Sequence, residues 1–406
     1  MIKTVRNLVL IFVIVVMLGF GSMVASYMIP TESAHNMIEH DAAFITDRYN
    51  VVPEYLTTDV DMYSDTIILS EVSYYNKSDS LVGNAMSVYG IREISDFQDY
   101  VHGDESKITE YARYWHGNLV FLKPLFLFFD YNAIKILELF FELVMVISIL
   151  KLMIDKNLKN YCIPFLLSLF FIHPTVIGLC FHLSSIFNLT LIAIWVLLKY
   201  TEVLLTKNRM LYYFLVVGML TNFIDLSSFP FISFGVPVIF YLLLERDKLT
   251  IKNSILKIIL FGVIWSLGYF GMWVSKWVIA TMFLDFNVVT NAINQLFFRV
   301  SDQGSTRLDG IVANLILYKK RVYIAIMGLI IIYYAKKLFN VRKNITKNSI
   351  KQAIPFIFIA ITPLVWYALL TNHSVTHACF AYRNLLILIM SLLCCLEYFV
   401  EKYTSN

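Results

Sequence analysis

Apolar runs close to the length of a bilayer crossing recur along this chain. About 20 helical residues span a hydrocarbon core. Ten runs approach that length, near residues 7–29, 132–154, 161–177, 182–204, 210–226, 229–244, 256–281, 321–339, 353–371 and 383–400. A chain that is 58% hydrophobic and 15% charged, with a mean hydropathy of +0.68, lies outside the range of soluble globules. In lipid only helices and closed barrels satisfy their own backbone groups. Period-2 alternation with turn signals is missing, which excludes a barrel. The expected fold is therefore an all-α polytopic membrane protein with about ten transmembrane helices. It divides into a first helix (1–29), a long polar segment (30–131) and a helical bundle (132–406).

Lysine and arginine positions orient this bundle. Lys3 and Arg6 open the basic set, followed by Lys151, Lys156 and Lys159, then Lys199, Lys207 and Arg209. Arg246, Lys248, Lys252 and Lys257 continue it, then Lys336, Lys337, Arg342, Lys343, Lys347, Lys351 and finally Lys402. With ten alternating helices these fall on one side, so both termini are expected in the cytoplasm. Lys319, Lys320 and Arg321 run against the rule, as headgroup anchors or contacts to an anionic substrate. The first apolar run extends to Ile29, longer than a signal-peptide core, and reads as a retained helix. Cys162, Cys180, Cys379, Cys394 and Cys395 lie in or beside apolar runs and offer neither a disulfide framework nor zinc spacing. The Asn-x-Ser/Thr triplets at Asn76, Asn188, Asn344 and Asn372 read as chance matches.

The segment between the first helix and the bundle is then extracytoplasmic. From residue 30 to 117 it holds sixteen carboxylates against five basic residues, in a chain whose net charge is +4. It is too long for a connector and too apolar for plain disorder, so a small, mostly helical cap on the bundle is expected. Near its end Ile108, Tyr111, Ala112 and Trp115 fall at i, i+3, i+4 and i+7, which predicts an interfacial amphipathic helix. The stretch 118–131, with Lys123-Pro124 and Asp130, is expected to dip into the membrane or lie flat.

Asp59, Asp61 and Asp65 lie together in this segment. On a helix Asp61 and Asp65 share a face, and like charges that close raise one pKa, as a general base requires. A solvated acidic run explains the same pattern. With the assigned topology other polar groups gather at the outer surface: His173, His182, Asp225, Arg299, Arg307, Asp309, His373, His377 and Arg383. Singly, each has a plain explanation, such as a cap for Asp225 or snorkelling for Arg383. Together they suggest a polar site, because ionisable residues near membrane depth usually face a cavity or a partner. His373 and His377 have zinc-compatible spacing, but no Glu completes an H-E-x-x-H motif. No motif calls for a cofactor; a divalent cation is compatible with the chemistry without being indicated. The inner connections carry no P-loop or Gly-rich turn, and the basic residues flank membrane helices rather than marking a nucleic-acid partner.

Four local strings stand out: RYWHG at Arg113–Gly117, TNFIDLSSFP at Thr221–Pro230, SKW at Ser275–Trp277 and NHSVTHACFAYR at Asn372–Arg383. With the architecture, they resemble the polytopic GT-C glycosyltransferases of bacterial membranes, including members linked to surface polysaccharides. The resemblance implies a sugar donor on a polyprenyl phosphate or diphosphate, a polysaccharide or glycolipid acceptor, and an acidic residue in the first outer loop as catalytic base. Asp59, Asp61 or Asp65 would fill that place. They lie further past the first helix than is usual there, which keeps Asp41 and Asp47 as alternatives. Arg299, Arg307 and Arg383, with Arg113 behind them, would meet the leaving phosphate. His373, His377, His116 and Asp225 would hydrogen-bond phosphate or sugar, and Tyr114 and Trp115 would stack on a sugar or anchor the membrane interface. Competing readings are a transporter or flippase of lipid-linked sugars, a polysaccharide polymerase or ligase, and a membrane scaffold.

Overall fold

The computed structural model of this chain describes residues 2–51, 60–248, 250–301, 304–345 and 351–404. These residues are mostly helical, with one two-stranded antiparallel pair. Among the described residues five helices are long and apolar enough to cross a membrane: Ile2–Ser26, Phe181–Lys199, Ile251–Phe283, Arg321–Asn344 and Ala378–Tyr403. Shorter apolar helices cover Arg209–Ile224, Ile232–Leu244 and Ile354–Leu369. The helix Tyr131–Asp155 has the length but carries Lys135, Glu138 and Glu142 inside it. The apolar run at 161–177 is broken. Pro174 disfavours helical backbone at the residue before it, and His173 takes a left-handed conformation (φ 55°).

The bundle centres on the pair Arg209–Ile224 and Ile251–Phe283. Gly218 faces the Trp265 carbonyl, and Gly268 faces the Leu215 carbonyl. A Cβ would sit 2.2 Å and 2.3 Å from those oxygens, so only glycine allows the two backbones this close. Around this pair Phe214 stacks on Phe261 at 4.7 Å and Trp265 on Tyr269 at 5.1 Å.

The segment after the first helix forms a cap of short helices. Met62–Ser73 starts where the Asp61 side chain accepts from the Ser64 amide, and Leu81–Ser87 starts where Ser80 does the same for Gly83. Tyr89–Gly90 then pairs with Thr109–Glu110, with Tyr89 opposite Glu110. This pairing corrects the expected interfacial helix at 108–115. The Tyr111 amide is used by the Ser87 carbonyl, and the Arg113 carbonyl accepts from the indoles of both Trp273 and Trp277. Ala112, Tyr114 and Trp115 are buried inside the protein rather than laid on lipid. The helical spacing of apolar residues was real, but inward-facing turn residues share it. The strongly amphipathic surface helices lie instead at Val288–Val300 and Arg307–Leu315, which expose Phe297, Phe298, Leu308 and Val312.

Buried polar contacts hold the cap together and fasten it to the bundle. The Asp65 carboxylate meets Lys135 Nζ at 2.5 Å, accepts from Tyr131 Oη at 3.0 Å and accepts from the Phe181 amide at 2.7 Å. Lys123 donates to the Val72 carbonyl and Lys276 to the Met86 carbonyl, at 2.8 and 2.9 Å. Glu71 binds His116 Nδ1 at 2.9 Å and Arg92 Nη1 at 3.2 Å. Removing one partner of a buried pair strands the other charge, at a cost of roughly 3–5 kcal/mol. Lys135→Met should therefore lower the thermal unfolding midpoint in detergent sharply. Adding Asp65→Asn to it should recover part of the loss rather than deepen it.

Candidate functional site

The polar residues at the cap end of the bundle assemble from five elements: the start of the Met62–Ser73 helix, the start of Phe181–Lys199, the turn 225–231, the end of Val288–Val300 and the segment 371–383. Asp61 lies at the solvent-facing edge of this cluster, with its side chain 24% exposed. Its Oδ2 lies 3.3 Å from Nε2 of the buried His182, without the alignment of a hydrogen bond. The His182 ring meets Phe380 edge-on at 5.5 Å, and Phe380 stacks on His377 at 5.1 Å. His377 lies 4.8 Å from His373, and His373 Nδ1 lies 3.5 Å from Arg299 Nη1.

The hydrogen bonds fix the state of His373. Nε2 faces the Ser227 carbonyl at 3.0 Å and must carry the proton, which leaves Nδ1 to accept from Arg299. Burial first, then the Arg299 charge, push its pKa down to about 3, and the same two causes push His377 down to about 4. Both rings are neutral over the physiological range. With both nitrogens of His373 engaged, this pair offers no chelate. Among the described residues no group of three or more His, Cys, Asp or Glu is arranged to hold a metal ion.

Two arginines define the electrostatics. Arg299 lies over the Tyr114 ring at 5.6 Å and touches His373; no carboxylate is among these contacts. Arg383 is fully buried. Its Nε donates to the Ile172 carbonyl and Nη1 to the Cys379 carbonyl, while Nη2 has no hydrogen-bond partner among the described residues. A buried guanidinium held only by carbonyls and rings retains much of its capacity for an anion. Asp225 is a carboxylate whose charge reaches Arg299. Its Oδ1 accepts from the Ser228 amide at 3.0 Å and closely from the Ser228 hydroxyl, while Oδ2 is buried without a hydrogen-bond partner among the described residues.

Other candidates separate from this cluster. Asp65 has both oxygens engaged in the cap clamp. His116 is buried against Glu71 and the Tyr111 carbonyl, and Trp115 donates to the Met272 carbonyl, so both hold structure. Arg113 reaches only the rim, bonded to Asn291 and stacked at 4.9 Å over Tyr111. Arg307 is exposed at a helix start, and Asp309 closes a capping box with Thr306. Asp41 is buried beside His40 in the cap. Asp59 and the Asp47 side chain lie outside the described residues. Ser227, Ser228, Tyr269 and Phe380 belong to the site and were not singled out from sequence. Ser227 and Ser228 lie in the TNFIDLSSFP string, whereas Tyr269 is one aromatic among many in an apolar helix.

The four strings meet here. Gly117 donates its amide to the Phe223 carbonyl at 2.8 Å, Trp277 holds the Arg113 carbonyl, and His373 holds the Ser227 carbonyl. Beside them runs an apolar groove of about 1080 Å³ between the first helix, Ile251–Phe283 and Ile354–Leu369. Its wall residue Trp265 stacks on Tyr269, whose hydroxyl lies 3.4 Å from that of Ser227. The stacked pair Trp265 and Tyr269 therefore links the groove to the polar cluster.

Burial raises the Asp225 carboxyl from its usual 3.8 to about 6, opposed by the Ser228 hydrogen bonds and the Arg299 charge. A folded pKa above the unfolded one means that its stabilising contribution is complete below about pH 4 and is lost as pH rises through 6. Asp225→Asn keeps an acceptor for Ser228 and removes this titration. Thermal unfolding in detergent should show the variant gaining on the wild type between pH 4 and 7. Compared with known proteins, the chain matches no family model, no curated sequence and no solved structure.

Proposed function

We propose that this chain is an integral membrane glycosyltransferase of GT-C-like architecture. It transfers a sugar from a polyprenyl-phosphate-linked donor to a cell-surface polysaccharide or glycolipid at the extracytoplasmic face. In this reading ten helices cross the membrane and both termini are cytoplasmic. The observation that carries it is an apolar groove linked through Trp265 and Tyr269 to a cluster holding two guanidiniums, Arg299 and the buried Arg383, that have no carboxylate partner among the described residues. That combination suits an amphiphile with a lipid chain and an anionic head.

Asp61 is the general base. Asp65 is consumed by Lys135, Tyr131 and the Phe181 amide, whereas Asp61 sits at the solvent-facing edge and keeps lone pairs beyond those given to Ser64. The acceptor hydroxyl loses its proton to the Asp61 carboxylate as its oxygen bonds to the anomeric carbon. The bond from that carbon to the phosphate oxygen breaks, and the electron pair leaves with the lipid phosphate. Arg299 and Arg383 stabilise the charge that develops there. His373, neutral and already fixed by Ser227 and Arg299, holds the Arg299 guanidinium in place.

A transporter or flippase reading has one observation in its favour. Glu138 and Glu142 lie one turn apart inside Tyr131–Asp155, each with a buried oxygen that has no hydrogen-bond partner among the described residues. Intramembrane carboxylates often mark ion or substrate pathways.

Purified protein supplied with polyprenyl-phosphate sugars and lipid or glycan acceptors separates the readings. Asp61→Asn should lower transfer by roughly 10²–10⁴-fold. Arg299→Gln should lower it by about 10²-fold or more. Asp65→Asn should act mainly on stability. Full transfer by Asp61→Asn would remove the assigned base. Movement of the lipid-linked sugar across proteoliposomes without a new glycosidic bond would favour the transporter.

A further inference from the structure

The end of the bundle opposite this site carries a second polar cavity, of about 470 Å³. It opens at the start of the helix Ile251–Phe283, about 33 Å along that helix from Trp273, which holds the cap. Four elements form it: the end of Ile232–Leu244 with the turn after it, the start of Ile251–Phe283, the residues preceding Ile354 and the end of the last helix. Its lining carries Arg246, Lys351 and Lys402 against one carboxylate, Asp247.

Two of the three cations, Lys402 and Arg246, are held in place by neighbouring groups. Lys402 Nζ donates to Gln352 Oε1 at 2.7 Å and to the Tyr398 hydroxyl at 3.2 Å, and Tyr398 reaches the same Gln352 oxygen at 3.0 Å. An ammonium has three donors, so these contacts aim the group and leave one N–H for a ligand. Arg246 is braced from behind by the Leu243 carbonyl at 2.8 Å and by Glu401 at 3.8 Å. Glu401 is itself held by Tyr161 and Asn160. Leu242, Ile251, Pro355 and Phe356 give the remaining wall an apolar side, beside the hydroxyl residues Thr250 and Ser254.

We infer that this cavity binds the phosphate headgroup of an anionic membrane lipid. Lys351, Lys402 and Arg246 would contact the phosphate, and the apolar wall the lipid's glycerol and first methylenes. Basic pockets between membrane helices take such headgroups. The apolar wall argues for a lipid over a soluble phosphate, which needs none. The site is independent of the transfer reaction: it shares no residue with the Asp61–Arg299 cluster and requires only that the bundle is embedded.

Native mass spectrometry of the full-length protein tests this after incubation with equal amounts of phosphatidylglycerol and phosphatidylcholine. The wild type should retain phosphatidylglycerol preferentially. Lys351→Gln with Lys402→Gln should weaken retention about 25-fold, near fivefold for each lysine. Lys351→Arg with Lys402→Arg should preserve it. Melting in phosphatidylcholine nanodiscs reports whether each variant is folded. Equal retention by wild type and the glutamine variant, or no preference in the wild type, would overturn the site. If inorganic phosphate alone stabilises the wild type but not the glutamine variant, while phosphatidylglycerol is not preferred, the lipid assignment is overturned in favour of a soluble phosphate.

Discussion

The buried contact between Asp65 and Lys135 is the constraint on which the cap-bearing half of this protein depends. The two charges stand 70 residues apart, on the cap and on the Tyr131–Asp155 helix, and both side chains are almost fully removed from solvent. Burying a carboxylate is tolerable only when its lone pairs are filled, and Tyr131 and the Phe181 amide complete the set. This fixes the Met62–Ser73 helix on the bundle. Asp61 caps the same helix, so its position at the solvent-facing edge follows from the clamp one turn later. The lysine–carbonyl contacts of Lys123 and Lys276 act in the same direction.

The interior of the candidate site is electrostatically lopsided. Two guanidiniums are held by rings and carbonyls, while the one buried carboxylate beside them, Asp225, is pushed toward its neutral form. The histidines are neutral for the same reason, since burial and the arginine charge both oppose protonation. Such a site has a standing excess of positive potential in a low-dielectric setting, where an anion gains most. The apolar groove behind Tyr269 supplies the other half of an amphiphile's requirements.

Much of the framework was legible in the sequence. Each of the ten apolar runs contains helix, although among the described residues five helices have both the length and the composition for a crossing. The gathering of Asp225, Arg299, His373, His377 and Arg383 was visible once the runs were made to alternate. The pattern of Ile108, Tyr111, Ala112 and Trp115 misled, because helical spacing records which residues are apolar and not what their backbone bonds to. The indoles of Trp273 and Trp277, 160 and 164 residues away, claim the Arg113 carbonyl. Ser227 was marked only by its place in the TNFIDLSSFP string and Tyr269 gave no signal, because their roles rest on a carbonyl and on a neighbour across the bundle.

The sequence by itself determined that this chain is a helical bundle with apolar segments of membrane length and one long acidic insertion. Those properties are sums over consecutive residues, and hydrophobicity and charge are carried by each residue wherever the chain goes. Only the tertiary structure decided which acids are available for chemistry. Asp61 and Asp65 are alike on paper and four residues apart. Lys135, Tyr131 and the Phe181 amide neutralise one of them, and the other is left at the solvent-facing edge beside His182. A carboxylate's role is set by its partners, and those partners come from distant parts of the chain that only folding brings together.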